Sequence, residues 1–455
     1  MRNNALALLL GALVFSSCPA GTGAAYDPAR IVRSAIPGDL LGMVHAGSSD
    51  EAGREYALLD ELGVRWMLTD FSWSSIQPQK EAWNLDAFAA YADNGETGGK
   101  KILAVLDYDT PWLHPEGSGY DGPVIKGPDE RALFCAYVKK TVERYKDRVD
   151  AWCIWNEPNL QPRFWASAGT KDDFFALTKA AAAAVREADP EAFIVGGAFN
   201  TLASEDWVRG MFTSGAMDRI DAIAYHPYMT GPGATANLYI RFKDLVSEYG
   251  FGDKIWITEV GYPTYDAPPR PAGRYGTDIL EADMPETVMQ TIVLLAVNGA
   301  RRIFWYHLFD PRPEAQDNAD SEDWFGLVKR DAAWTWKGGA AAYRLAAQNI
   351  PGRVCKTPER EGLPDFIQAY YFEGSDGRHA LVIWNDINVA EGVGVCLPGT
   401  NQKVYNLASG EAAAIGETST YTLKAKDGDN HFIRFFTWEN PGSLPPPRIS
   451  ARQAF

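Results

Sequence analysis

A (β/α)8 barrel followed by a C-terminal antiparallel β-sandwich is the architecture this sequence predicts, and three observations carry it. From about residue 38 to 349, short apolar runs alternate with longer amphipathic ones, the mark of βα units around a parallel sheet. Eight such runs can be counted, the number that closes a barrel. Beyond the last of these helices the period changes to short β-rich runs punctuated by Gly, Asp and Asn, as in Gly374-Ser375-Asp376-Gly377.

Taken in order, residues 1–25 read as an export signal. Met1-Arg2 gives a positive start, Ala5–Phe15 an apolar run too short to anchor permanently in a bilayer, and small residues follow. The segment Val14-Phe15-Ser16-Ser17-Cys18 resembles a bacterial lipobox, with Cys18 as the lipidated residue; the alternative is cleavage near Gly23-Ala24-Ala25. The barrel occupies 26–350. Its strands are expected at Leu41–Ala46, Val64–Phe71, Lys101–Tyr108, Asp150–Trp155, Ala192–Gly197, Ile220–Tyr225, Lys254–Thr258 and Arg302–Tyr306. Helical stretches fall between them, including Glu51–Leu62, Asp129–Arg148, Lys171–Ala188 and Pro285–Asn298, and Lys337–Asn349 supplies the eighth helix. The sandwich takes 351–440, with strands at Phe366–Phe372, His379–Trp384, Gly392–Leu397, Thr418–Lys424 and His431–Thr437. Residues 441–455, with Pro445–Pro447, are expected to be an extended, disordered tail.

Composition narrows the function classes. A formal net charge of −16 argues against nucleic acid or an anionic membrane surface as partner. No later run is apolar enough for a transmembrane helix. The 15 tryptophans and 20 tyrosines invite a carbohydrate partner, since aromatic faces stack on sugar CH faces, although a large α/β core also consumes aromatics. Export permits disulfides. Cys153 shares strand parity with Glu157 and should point into the barrel while Cys135 lies on an outer helix, so Cys355 and Cys396 are the expected pair; four free thiols are the alternative.

The chemistry sits in two stretches about a hundred residues apart, Trp155-Asn156-Glu157-Pro158-Asn159 and Trp256-Ile257-Thr258-Glu259-Val260-Gly261. Each is an apolar run ending abruptly in a glutamate, which places a carboxylate at the carboxyl end of a buried parallel strand. Strand counting assigns them to strands 4 and 7. Two carboxylates facing one pocket are the minimum apparatus for breaking a glycosidic bond. The six scattered histidines give no His-Glu-x-x-His, and phosphate-loop and Gly-x-Ser-x-Gly patterns are absent, so no metal and no cofactor are implied.

With these motifs the chain resembles glycoside hydrolase clan A, retaining β-glycosidases on a (β/α)8 barrel, and within it family 39 (family 5 is similar too). The resemblance implies Glu157 as acid/base and Glu259 as nucleophile. Glu157 is expected to be held protonated by burial and by the neighbouring Glu259 charge. It further implies that Asn156 meets a sugar hydroxyl. Ala224-Tyr225-His226-Pro227-Tyr228 would place His226 on the pocket wall and Tyr228 on the nucleophile, and Trp305 would be the platform for the sugar at the cleavage point, with a core tryptophan as the alternative. Trp73, Trp112 and Trp165, in loops similar to the family's, are implied platforms for further sugar units, with a core role for each as the alternative. The loop 264–282, holding Tyr265, Arg270, Arg274 and Tyr275, should shape one end of the cleft.

One departure stands out. Clan A places an arginine at the end of strand 2, where it helps keep the nucleophile ionised; here that position is Leu68. Tyr228, a cation from a loop, or a changed subsite must compensate. The expected partner is therefore an oligosaccharide or polysaccharide, hydrolysed at β-type linkages by double displacement. A carbohydrate-binding barrel with weak or lost turnover and a transglycosidase are the alternatives. The expected location is periplasmic, outer-membrane lipoprotein or secreted.

Overall fold

The computed structural model describes residues 31–451 except 33, 47–51, 115–123, 202, 266–277, 314–315, 317–319, 386–390, 417, 424–432 and 441–444. The export segment with Cys18 and the loop residues Arg270, Arg274 and Tyr275 lie outside these.

Eight parallel strands close a barrel: β1 (Leu41–Val44), β2 (Trp66–Asp70), β3 (Lys101–Leu106), β4 (Ala151–Ile154), β5 (Ile194–Asn200), β6 (Ala222–His226), β7 (Ile255–Val260) and β8 (Arg302–Trp305). They pair in chain order, and β8 returns to β1 through Leu41↔Ile303 and Met43↔Trp305. Each matches one expected run to within about three residues at either end, the usual uncertainty of boundaries. Helices include Ala52–Leu62, Gly127–Tyr145, Lys171–Ala188, Met284–Val297 and Gly338–Asn349. Lys171–Ala188 begins where its sequence says it should. Thr170 Oγ1 accepts from the Asp173 N–H (3.1 Å) and Asp173 Oδ2 accepts from the Thr170 N–H (3.0 Å), a reciprocal cap. Among the described residues no helix is long and apolar enough to cross a membrane.

Strand alternation sorts the side chains into two layers. Val44, Trp66, Leu68, Leu103, Val105, Ala151, Cys153, Val195, Ala222, Ala224, Trp256 and Phe304 fill the barrel interior, whereas their sequence neighbours pack outward under the helices. The amino-terminal end is plugged. Trp66 meets Trp256 edge-on at 5.1 Å, Phe193 stacks on Trp256, and the Arg302 guanidinium lies 5.3 Å from both indoles. Room for a ligand is thereby confined to the carboxyl ends, where both glutamates lie.

The C-terminal region folds as two sheets. One has six strands in the order 354–356, 367–373, 378–385, 433–439, 400–405, 412–414, all antiparallel. The other orders 359–361, 448–451, 391–396, 418–423 and contains one parallel pair, Glu359–Glu361 with Arg448–Ala451. The six-stranded sheet is apolar on both faces. Tyr370, Phe372, Val382 and Trp384 join the barrel's outer core, while Tyr371, Leu381, Ile383 and Trp438 share a cluster with Val393, Val395 and Ile449 of the second sheet.

Two expectations are corrected here. Cys355 and Cys396 form no disulfide, and both are free thiols, as are Cys135 and Cys153. Cys355 is buried in the barrel-side cluster, whereas Cys396 belongs to the sheet stacked on the opposite face, so the six-stranded sheet stands between them. The expected disordered tail is also wrong for residues 448–451. They pair with both 391–396 and 359–361, and Ile449 is fully buried. Proline at 445–447 ends just before the strand begins and removes none of its ladder donors.

Candidate active site

Each glutamate reaches the cleft through a local irregularity of its strand. Beyond β4 the backbone turns through positive φ at Trp155 (65°) and Glu157 (43°), values that cost side-chain-bearing residues energy and cluster at functional sites. The turn is pinned by the Trp155 N–H to Leu106 O, the Glu157 N–H to Ala198 O and the Trp155 indole N–H to Phe164 O (2.9 Å). On β7, pairing with β8 slips between Ile303↔Ile257 and Trp305↔Val260, so one extra residue is accommodated. Trp256 and Thr258 face inward, Val260 faces out, and Glu259 is turned into the cleft beside Thr258. β5 carries a similar slip between Gly196↔Ile223 and Phe199↔Tyr225, which turns Asn200 inward beside His226.

The result is a compact acidic centre. Glu157 Oε1 accepts from Asn200 Nδ2–H (2.8 Å) and from His226 Nδ1–H (2.7 Å). Glu259 Oε2 accepts from the Tyr228 hydroxyl (2.9 Å) and lies 3.7 Å from His226 Nδ1. His226 Nε2 is 2.8 Å from Thr258 Oγ1. One oxygen of each glutamate and a His226 ring nitrogen all lie within 4.8 Å of one another. Such spacing would suit a metal ion, but the hydrogen bonds within the group account for it directly.

Electrostatics follow from burial. Desolvation pushes the Glu259 carboxyl up to about 7; Glu157 and Asp70 add to the rise, while His226 and the Tyr228 hydroxyl oppose it. Burial works against a charge on His226, yet Glu259 and Glu157 outweigh it and hold the imidazole above its ordinary value. Burial and the Glu259 charge keep Tyr228 protonated, so it remains a donor. A third acid, Asp70, also acts electrostatically on Glu259.

Of the other residues singled out from sequence, Asn156 faces the cleft and donates to the Tyr108 hydroxyl (3.2 Å), and His226 and Tyr228 take their places as described. Three implied platforms are not platforms. Trp73, Trp165 and Trp305 are fully buried. Trp73 stacks on Tyr137, Trp165 packs edge-on against Trp155 and Phe174, and Trp305 lies beside Tyr262 in the outer core. Strand parity explains Trp305. Phe304 faces inward, so Trp305 faces out, and Tyr306 instead forms the aromatic wall. Its ring is edge-on to Phe325 at 5.1 Å and its hydroxyl donates to Glu322 Oε2 (3.2 Å). Trp112 is part-exposed, with its indole N–H tied to Gln77 O (2.8 Å). Asn200, Tyr306, Asp70 and Asp107 were not read from the sequence; counting inward positions above Leu68, Val105 and Phe304 finds three of them, while Asn200 depends on the slip in β5.

A sharp contrast follows for neighbouring residues. Tyr306→Ala, which removes the aromatic wall of the cleft, should lower kcat/KM by about 10-fold and also cost stability through its lost contact with Phe325. Trp305→Phe should leave kcat/KM within about twofold while costing on the order of 1–2 kcal/mol of stability through a core cavity. Steady-state kinetics and thermal unfolding of the two variants check this.

Comparison with known proteins agrees with the fold. The family model described as glycosyl hydrolases family 39 matches residues 130–253, which include Glu157, His226 and Tyr228. A β-xylosidase of Caldicellulosiruptor saccharolyticus is 37% identical over 94 residues, a stretch covering 20% of this chain and 18% of that protein. Among solved structures, a family 39 glycoside hydrolase from the gut symbiont Bacteroides cellulosilyticus WH2 superposes with a TM-score of 0.70 at 17% identity, covering 90% of this chain and 82% of that one. A family 39 β-xylosidase from Caulobacter crescentus gives 0.62 at 17%, covering 90% and 97%. The family 39 resemblance seen in the sequence is shared by the family model over residues 130–253, and the likeness of fold to these structures covers 90% of the chain.

Proposed function

We propose that this chain is an exported retaining glycoside hydrolase that cleaves β-linked oligo- or polysaccharides, with Glu157 as acid/base and Glu259 as nucleophile. The observation that carries the reading is the spacing of the two glutamates, with one oxygen of each within 4.8 Å. Double displacement requires carboxyl groups about 5 Å apart, whereas inversion leaves room for a water at about 6.5–9.5 Å.

The hydrogen bonds divide the labour. Both donors to Glu157 converge on Oε1, which leaves Oε2 to carry a proton to the departing glycosidic oxygen. Glu259, oriented by the Tyr228 hydroxyl, attacks the anomeric carbon and forms a glycosyl ester. Glu157, now ionised, takes a proton from water, whose oxygen displaces Glu259 and restores both residues. His226 supplies the positive charge that Leu68 does not: as imidazolium it lies against both carboxylates and favours an ionised Glu259. Retention of both glutamates beside this cation favours turnover over the binding-protein alternative. Export rests on the pattern of residues 1–25.

The test is intact-mass analysis after exposure to a panel of 2-fluoro glycosyl inactivators, which form the ester but slow its hydrolysis. One sugar adduct mapping to Glu259 is expected, and the sugar that labels names the preference at the cleavage point. An adduct elsewhere, or unlabelled protein that still binds glycans, would remove the double-displacement reading.

A further inference from the structure

Beside the two glutamates the barrel carries a second pair of acids. Asp70 is the last residue of β2, and Asp107 follows directly after β3, the neighbouring strand, where Asp70 pairs with Val105. Both continue the inward-facing series Trp66, Leu68 and Leu103, Val105, one layer above the apolar interior. Asp107 is fully buried, and among the described residues neither of its carboxylate oxygens has a hydrogen-bond partner. A buried polar group left in that condition costs stability, and a donor brought by a ligand would relieve it. Burial pushes the Asp107 carboxyl well up, and Asp70 adds to the rise.

Charge around this pair is unbalanced. Asp70, Asp107, Glu157 and Glu259 influence one another electrostatically, and Leu68 stands where the clan resemblance puts an arginine. Among the described residues, His45 acts electrostatically on Asp70, and His226 lies against the glutamates. Arg163, at the rim, is engaged with Glu322 (3.1 Å). The aspartate pair is not a metal site on its own. No third histidine, cysteine or carboxylate joins it within metal-bridging distance among the described residues. Asp107 stands diagonally across from Asp70, two residues beyond its partner Val105 and about 8 Å away at the backbone, and two carboxyl groups so placed instead suit a single ammonium between them, which brings three donors and one compensating charge.

We propose that Asp70 and Asp107 form a recognition site for an unacetylated amino group on the sugar seated over Glu157 and Glu259, so that the cleft selects amino-sugar glycans. This inference rests on the glycosidase reading and deepens it. An amino sugar satisfies the orphaned Asp107 oxygens and offsets the acids; a neutral hydroxyl can donate one hydrogen bond but leaves the charge uncompensated, and an N-acetyl group removes the charge and adds bulk.

The test uses the full chain carrying Glu259→Gln, which stops turnover, titrated with paired monosaccharides and followed by NMR: glucosamine against glucose and N-acetylglucosamine, galactosamine against galactose, mannosamine against mannose. At least one amino sugar is expected to bind at least 10-fold more tightly than its hydroxyl counterpart. Adding Asp70→Asn, at a part-exposed position, should reduce that ratio to near one; Asp107→Asn should do the same if it folds. Equal affinity within every pair overturns the proposal. So does a preference that survives Asp70→Asn, which would reflect diffuse attraction by an acidic protein. Binding of neutral sugars, or a Glu259 adduct, without an amine preference leaves the glycosidase reading standing; no binding by any sugar and no adduct removes both.

Discussion

Glu259→Gln is expected to lower kcat by on the order of 10^4-fold or more, because it removes the atom that makes the covalent bond and no neighbour can replace it. The same variant should be more stable than the parent at neutral pH. The sign follows from its raised ionisation. A carboxyl that titrates near 7 in the folded protein and near 4.5 when unfolded binds its proton more tightly when folded. Its ionised form is therefore the destabilising one. That destabilisation is absent below about 4.5, grows as pH rises from there to 7, and is constant above. Glutamine has no such penalty. The gain should be roughly 1–3 kcal/mol at pH 8 and close to zero at pH 4. Thermal unfolding at both pH values, with kinetics on the same preparation, checks it; a variant equally inactive but no more stable at pH 8 would mean that Glu259 is not a strained anion.

The second large effect concerns His226. His226→Gln should lower kcat by about 10²–10³-fold, the range found when one preorganised donor to a developing charge is lost. Loss of activity alone would not separate a positioning role from misfolding, so the pH profile is the decisive readout. His226 lowers the pH at which Glu259 ionises, and without it the acid limb of kcat/KM should move from about 7 to higher pH. In the parent, activity should also fall on the alkaline side as His226, held above its ordinary value by the two glutamates, loses its proton. A folded variant with an unmoved acid limb would show that the imidazole lines the wall without acting on the nucleophile.

Much of this was legible before any coordinates. The barrel was readable because buried parallel strands leave continuous apolar runs such as Ile102–Leu106 and Ile255–Ile257, separated by amphipathic helices, a signal that survives without knowledge of partners. Glu157 and Glu259 stood out because a charged residue ends an apolar run. The missed strands are short or polar. Thr400–Tyr405 and Ala412–Ala414 are mostly exposed, and their sequences carry no alternation because little of them faces a core. The tryptophans were misassigned for a different reason. Aromatic size says nothing about which side of a strand a residue takes, and Trp305 is separated from the cleft by one step of parity. Asn200 was invisible because its orientation depends on the pairing slip in β5, a property of two strands rather than one sequence.

The slips in β5 and β7 have a consequence for how this barrel can vary. Each acts as a frame shift in the two-residue alternation, so the lower and upper halves of those strands are read in different phases. Below the slip, substitutions are filtered by packing of the plug; above it, by chemistry, and the extra residue keeps the two requirements from competing for the same phase. A chimera that grafts the upper part of β7 from a relative must therefore carry the extra residue along. Without it Val260 would arrive where Glu259 now stands, and a well-packed barrel would emerge with a methyl group in place of its nucleophile.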